Sequence, residues 1–205
     1  YLQGTHQFGG LSYTSQRETD PWVGVIDQAG NWKWVKQIRT SAWSSTLSLV
    51  VSDDGSIFTS GFVYGQVTVG TDTIGGRGWY DAYLAKLNSS GEWQWATSLG
   101  SSTGDFGNSV RLDSDGKLVW MGDFTGTAIC QGQTIVSNGG GRTNRLNGAG
   151  DLFAAKVDPN TGQLLSLNST GSISTENFGR HLSINANGGR KGDIYISWHE
   201  QSSNL

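Results

Sequence analysis

The chain repeats itself. Asp81-Ala-Tyr83-Leu84-Ala-Lys86-Leu87, followed by Gly91 and Trp95, returns as Asp151-Leu-Phe153-Ala-Ala-Lys156-Val157 with Gly162. A looser copy opens at Asp20-Pro-Trp22-Val23-Gly-Val25-Ile26, followed by Gly30 and Trp34. A period of this kind constrains the fold before any local propensity does, because each unit must bury its apolar face against a neighbouring unit. Asp20 and Asp81 are 61 residues apart, and Asp81 and Asp151 are 70 apart. The excess in the second interval lies around Asn138–Gly150, a Gly-rich stretch that reads as a loop inserted on one face of the array.

Each copy divides into four stretches. The first carries aromatic and aliphatic residues at both odd and even positions (Ala82, Tyr83, Leu84, Ala85, Leu87), as expected of a strand covered on both sides. A turn follows at Asn88–Gly91, with counterparts at Asp27–Gly30 and Asp158–Gly162, where the glycine supplies the positive φ. The second stretch holds Trp32 and Trp34 in one copy and Trp93 and Trp95 in the next; residues two apart are expected on one strand face. In the third copy Leu164 and Ser166 take the two Trp positions. The third stretch, Phe106-Gly-Asn-Ser-Val110-Arg-Leu112, matches Phe178-Gly-Arg-His-Leu182-Ser-Ile184, while the first copy keeps only Leu49 and Val51. Asp54-Gly55, Asp115-Gly116 and Asn187-Gly188 then mark hairpins into a fourth stretch beginning at Ile57, Leu118 or Ile194. The first residues of the chain fit the same fourth slot, with Gly9 aligned to Gly65 and Gly126.

Four antiparallel strands per unit, apolar on both faces, predict an all-β chain of β-propeller-type repeats, in about three copies. A solenoid rung is shorter than this period, and a sandwich need not repeat. Composition agrees. The 205 residues include 31 Gly, nine Trp and only two Pro, and charged residues are 15%, against about a quarter in an ordinary soluble domain. Ser, Thr, Asn and Gly supply the polarity, which suits short strands and tight turns. The division expected is an outer strand of a preceding or closing blade over residues 1–19, then repeats over 20–80, 81–150 with its 138–150 insertion, and 151–205. Three blades are too few for a propeller ring, which takes about four to eight. The segment is therefore expected to be part of a larger ring or an assembly.

The pattern Asp-x-aromatic-x-Ala-Lys-hydrophobic, then Asp or Asn, Gly, Trp, Asp-Gly and a hydrophobic strand ending in Gly resembles the SBBP-type β-propeller repeats. The copy from Asp81 to Gly126 fits best; Val25 replaces the Lys in the first copy, and the third lacks the Trp. The resemblance implies a secreted or cell-surface protein of bacterial type. It transfers no catalytic residue.

Other signals point away from chemistry. Net charge is −3, which disfavours non-specific phosphate binding. No run of about 18 apolar residues suggests a membrane span. Cys130 stands alone in an apolar stretch, as a small buried hydrophobe would. Asp113-Ser-Asp115-Gly116 and Asp158-Pro-Asn160-Thr-Gly162 resemble pieces of a calcium loop but lack its full ligand set, and turn chemistry accounts for them. His6, His181 and His199 have no metal spacing. No Gly-x-Ser-x-Gly elbow or phosphate loop occurs. Asn88 and Asn168 head sequons that fit chance matches in an Asn/Ser-rich chain.

No catalytic, cofactor or metal residue is therefore predicted. Trp32, Trp34, Trp93, Trp95, Phe106 and Phe178 are expected in the packing between repeats, with Trp43 lacking an aromatic counterpart in the other copies. Trp22, Trp79 and Trp198 are the candidates for an exposed aromatic face, and Arg142 and Arg145 in the Gly-rich loop for a partner contact. The function expected is a non-enzymatic extracellular or cell-surface structural and interaction module whose partner is itself or neighbouring repeats through strand edges. The alternatives are a lectin-like glycan binder using exposed Trp and a fragment of a propeller hydrolase or lyase.

Overall fold

The computed structural model describes residues 4–15, 20–138, 150–171, 175–184 and 194–202. Among them the chain is all-β, with no helix. Two hairpins come first: β1 (Gly4–Phe8) with β2 (Leu11–Ser15), and β3 (Trp22–Ile26) with β4 (Trp32–Gln37). Next, β5 (Ser45–Val51), β6 (Ile57–Val69), β7 (Asp72–Leu87) and β8 (Trp93–Leu99) form a four-stranded antiparallel sheet in chain order. A second four-stranded sheet contains β9 (Phe106–Leu112) and β10 (Leu118–Phe124). The chain then leaves it through a small hairpin, β11 (Thr127–Cys130) and β12 (Gln133–Val136), and returns as β13 (Asp151–Val157) and β14 (Leu164–Thr170), giving the order β9-β10-β13-β14. A last hairpin pairs β15 (Thr175–Ile184) with β16 (Ile194–Ser202).

Sheet and sequence period are out of phase by half a unit. Each four-stranded sheet takes stretches three and four of one copy and stretches one and two of the next. Accordingly β3–β4 is an outer half-sheet without inner strands, and β15–β16 is an inner half-sheet without outer ones, among the described residues.

The turns between first and second stretches share one device. The Asp27 carboxylate accepts the backbone N–H groups of Ala29 and Asn31 at 2.9 and 2.8 Å. Asn88 does the same for Ser90 and Glu92 at 3.0 and 2.9 Å, and Asp158 for Asn160 at 2.9 Å. These Asx contacts satisfy N–H groups that the ladder leaves free. A β-bulge follows each turn, with Lys33, Gln94 and Leu165 as the extra residues opposite Val25–Ile26, Lys86–Leu87 and Lys156–Val157. One extra residue reverses the alternation of faces. The two Trp residues of a strand therefore do not share a face, contrary to the expectation from spacing. Trp95 belongs to the core between the two four-stranded sheets, whereas Trp93 packs on the clusters of the opposite face.

That main core joins Phe58, Leu84, Trp95 and Leu99 of the first four-stranded sheet to Val110, Trp120, Phe153 and Val157 of the second. The Trp120 indole N–H donates to Ser60 Oγ at 2.7 Å, and the Ser60 hydroxyl donates to the Gly107 carbonyl at 2.9 Å, so the apolar interface also has a polar pin. On the other face of the first sheet, Val23 of β3 meets Ile57 and Leu87, with Trp34 and Trp93 alongside. β5 runs beside β9, and β9 beside β15, so the inner strands follow one another.

Each copy also carries an arm: β1–β2, the outer ends of β6 and β7 (Gln66 to Gly75), and β11–β12. The tips fold over the second stretch, Gly9 against Trp32 and Gly70 against Trp93. The register of the first residues is thereby corrected. Gly4, not Gly9, stands at the base of its arm as Gly65 and Gly126 do (φ 85°, 65° and 63°), and Gly9 is at a tip like Gly70.

Candidate interaction surface

The contact that links copies is an indole on a turn. The Trp34 N–H donates to the Ser89 carbonyl at 3.1 Å, and a Cβ on Gly91 would lie 2.7 Å from the Trp34 ring. One period later the Trp95 N–H donates to the Pro159 carbonyl at 3.2 Å, and a Cβ on Gly162 would lie 2.7 Å from its ring. Gly91 and Gly162 have φ of 79° and 71°, so the glycine closes the turn and makes room for the neighbour's ring at once. Trp95 is 7% exposed. Its predecessor in the period, Trp34, is half-buried.

The third equivalent socket is open. Gly30 has φ 84° and nothing within 4 Å of where its Cβ would stand. Around it, the side of the molecule that faces away from the second and third copies is apolar. Ile26 is 56% exposed, while its equivalents Leu87 and Val157 are fully buried. Trp32 is 37% exposed, which departs from the expected burial between repeats, because the bulge turns it toward this uncovered side. Leu47, Leu49 and Val51 form an exposed stripe along β5. A Cβ on Gly61 would strike the Ser45 carbonyl just as one on Gly122 would strike the Phe106 carbonyl, so Ser45 and Phe106 are equivalent. Leu49 thus corresponds to Val110. Leu49 is 43% exposed and Val110 is completely covered.

The repeat's first residue is a buried acid that accepts backbone N–H groups. Asp20 accepts from the Thr40 backbone N–H at 2.9 Å, Asp81 from Arg77 at 3.1 Å and Asp151 from Asn138 at 2.6 Å. Asp20 and Asp151 thereby hold connectors, at Thr40 and Asn138, while Asp81 holds the Arg77 backbone earlier on its own strand β7. One oxygen of Asp81 and one of Asp151 is buried without a hydrogen-bond partner, and burial pushes the Asp81 pKa up. Asp105, which the sequence reading did not single out, is fully buried and accepts from the Ser101 N–H at 2.6 Å and the Thr125 N–H at 3.2 Å. Burial first, and the nearby Asp81 charge as well, push its pKa up to about 7. Nothing in the local pattern Gly104-Asp105-Phe106 marks it as buried.

The carboxylates of the calcium-like fragments are engaged within the chain. Asp113 accepts from Asp115 and Lys117 N–H at 2.9 Å and pairs with Lys156 at 2.8 Å; Asp158 pairs with Lys117 at 2.6 Å. Among the described residues no three His, Cys, Asp or Glu side chains gather as a metal site. Cys130 is buried, and burial pushes its thiol up to about 11, far from a reactive thiolate. A cleft of about 480 Å³ opens between the turn ends of the two four-stranded sheets, lined in part by Ser52, Asp54, Phe58, Lys86, Asp113 and Asn160. The Lys86 ammonium lies 5.5 Å over the Phe58 ring, and hydrogen bonds from Ser52 and Ser56 hold Asp54 down at about 2. The cleft carries charges of both signs.

The other candidates fall in different places. Trp79 is 39% exposed on β7. Trp22, on β3, is half-buried, with ring centroids 5.5 Å from Phe8 and 5.4 Å from Tyr13. Trp198 and Phe178 lie on β16 and β15, whose side chains are outside the described residues, as are Arg142, Arg145 and most of the Gly-rich loop. Trp43 packs against Phe62 and Tyr80 at 5.2 and 5.8 Å. No protein-family model matches the chain, and no curated protein matches it.

Proposed function

We propose that the chain is a non-enzymatic structural and interaction module of an extracellular or cell-surface protein, built from β-propeller repeats of the kind its sequence resembles. The observation that carries this reading is the indole-on-turn contact, made twice in the same way from one copy to the next. A unit whose conserved-in-period aromatic is spent on its neighbour is built for stacking. The acids with raised pKa hold backbone N–H groups, Asp81 that of Arg77 on β7 and Asp105 that of Ser101 in the β8–β9 connector, a structural use.

The purified chain is expected to turn over none of a panel of ester, glycoside and polyuronate substrates. Turnover that disappears in Asp105→Asn, with melting unchanged, would overturn the reading. Protease treatment of intact producing cells is expected to release the protein; recovery only from the cell interior would remove the surface assignment. The exposure of Trp79 supports a second reading, glycan binding. It predicts that Trp fluorescence shifts with a bound oligosaccharide and that Trp79→Ala abolishes the shift.

A further inference from the structure

We propose that the cleft between the turn ends of the two four-stranded sheets binds the carboxylate of an acidic sugar, with the Lys86 ammonium as its counter-ion. The inference goes beyond the repeat-module reading, and its residues all belong to the two complete sheets and their turns.

A comparison of the two sheets carries it. In the second sheet four charged side chains pair across the turn end, Lys156 with Asp113 at 2.8 Å and Lys117 with Asp158 at 2.6 Å. Register and turn geometry locate their equivalents in the first sheet. Lys86 stands opposite Phe58 as Lys156 stands opposite Val119. The Ser52 N–H donates to the Ser56 carbonyl and the Gly55 N–H to the Ser52 carbonyl, as the Asp113 N–H does to Lys117 and the Gly116 N–H to Asp113. The Asn88 and Asp158 carbonyls likewise accept from Gly91 and Gly162. Ser52, Ser56, Lys86 and Asn88 therefore occupy the positions of Asp113, Lys117, Lys156 and Asp158. Three of the four carry no charge, and the lysine keeps its own. The half-buried Lys86 makes no ion pair with the described residues, and its ammonium lies 5.5 Å over the Phe58 ring on the cleft wall.

The cleft of about 480 Å³ is of ligand size. A ligand carboxylate at Lys86 would stand as the Asp113 carboxylate stands at Lys156. The other lining groups ask for hydroxyls. Asp53 and Asp54 are exposed, and as carboxylates they accept O–H donors and repel a second negative charge, which disfavours a phosphate dianion. Asn160, on the second sheet's side, offers both a donor and an acceptor. Leu112 and Pro159, half-buried, give the C–H face of a sugar ring an apolar strip. A uronic acid carries one carboxylate and several hydroxyls around such a ring. Trp79 belongs to a different place, seven residues back along β7 and roughly 20 Å away.

Saturation-transfer NMR on the whole chain tests this, with D-glucuronate as the probe and D-glucose as its neutral twin. D-glucuronate is expected to receive saturation, less so at high salt, and D-glucose is not. Lys86→Met keeps the aliphatic stem and is expected to weaken glucuronate binding about tenfold, or about 1.4 kcal/mol, with melting unchanged. Ser52→Asp gives Lys86 an internal partner, in a turn geometry that Asp113 already fits, and is expected to abolish binding without lowering the unfolding midpoint. Trp79→Ala is expected to leave binding intact. Absence of transfer to D-glucuronate would overturn the site, as would equal binding of D-glucose. So would binding that survives Lys86→Met and Ser52→Asp, or that is lost in Trp79→Ala. N-acetylaspartate bound in preference to D-glucuronate would overturn the sugar assignment. The repeat-module reading stands through all of these outcomes, because it falls to turnover instead.

Discussion

At the scale of single residues, the turn glycine and its neighbour's indole act as one part. Trp95→Ala removes a nearly buried ring and its hydrogen bond to Pro159, and about 3–5 kcal/mol of stability is expected to go with it. Urea unfolding measures this, and a variant with the parent's midpoint would refute it. The glycines give a sharper comparison. Gly30 and Gly91 share a left-handed backbone, so an alanine at either costs about 1 kcal/mol for conformation. Only at Gly91 does the added methyl also meet a ring. Gly91→Ala is therefore expected to destabilise clearly more than Gly30→Ala in the same assay. Asp105 gives a pH dependence of definite sign. Its folded pKa is raised to about 7, so the native state holds a proton that the unfolded chain releases near pH 4. Stability is expected to be full at or below that ordinary value and to fall as pH rises to about 7, then level off. Unfolding midpoints across this window should lose most of that slope in Asp105→Asn.

At the scale of the element, the Asx turn and the bulge after it decide which way the aromatic residues face. In the hairpin between β9 and β10, Asp113 caps the turn and pairs with Lys156 on β13. Partial burial pushes its pKa up, but the Lys156 ammonium and the N–H groups of Lys117 and Asp115 outweigh that and hold it below the ordinary range. Its contribution is present above about pH 4 and is lost as pH falls through the folded pKa. Asp113→Ala is expected to cost about 1–3 kcal/mol at neutral pH, read from denaturant midpoints, and progressively less in acid. Strands, turns and the hairpin at Asp115-Gly116 were legible in the sequence because alternation and turn residues are local signals. The bulge was not: Trp93-Gln94-Trp95 reads as plain alternation, and only pairing of Leu87 with Trp93 and Lys86 with Trp95 reveals the extra residue. The arms were also hidden, since Gly65 to Gly76 has many glycines and a broken pattern. The open socket at Gly30 could not be seen at all, because an equivalent turn is filled at Gly91 and empty there.

At the scale of the whole molecule, the packing between sheets runs from each sheet to its neighbour in the chain. Protection from amide exchange is expected to be greatest in β6, β7, β10 and β13, which flank the main core, and least in β1–β4, whose outer side is bare. Exchange followed by mass spectrometry would show this, and uniform protection would contradict it. The period implies that like units stack, but a period has no intrinsic starting point, so the phase of the sheets is visible only in the pairing of β6 with β7 and β10 with β13. That half-unit offset makes the unit of inheritance differ from the unit of folding. Tandem duplication of one period, begun at any residue, inserts a complete sheet and leaves both flanking halves in frame. An array of this design can lengthen or shorten by whole periods without inventing an interface. For the same reason a stable excised piece should be cut at the β8–β9 connector, residues 100–105, and not at Asp81, where the sequence motif begins but a sheet is already half built.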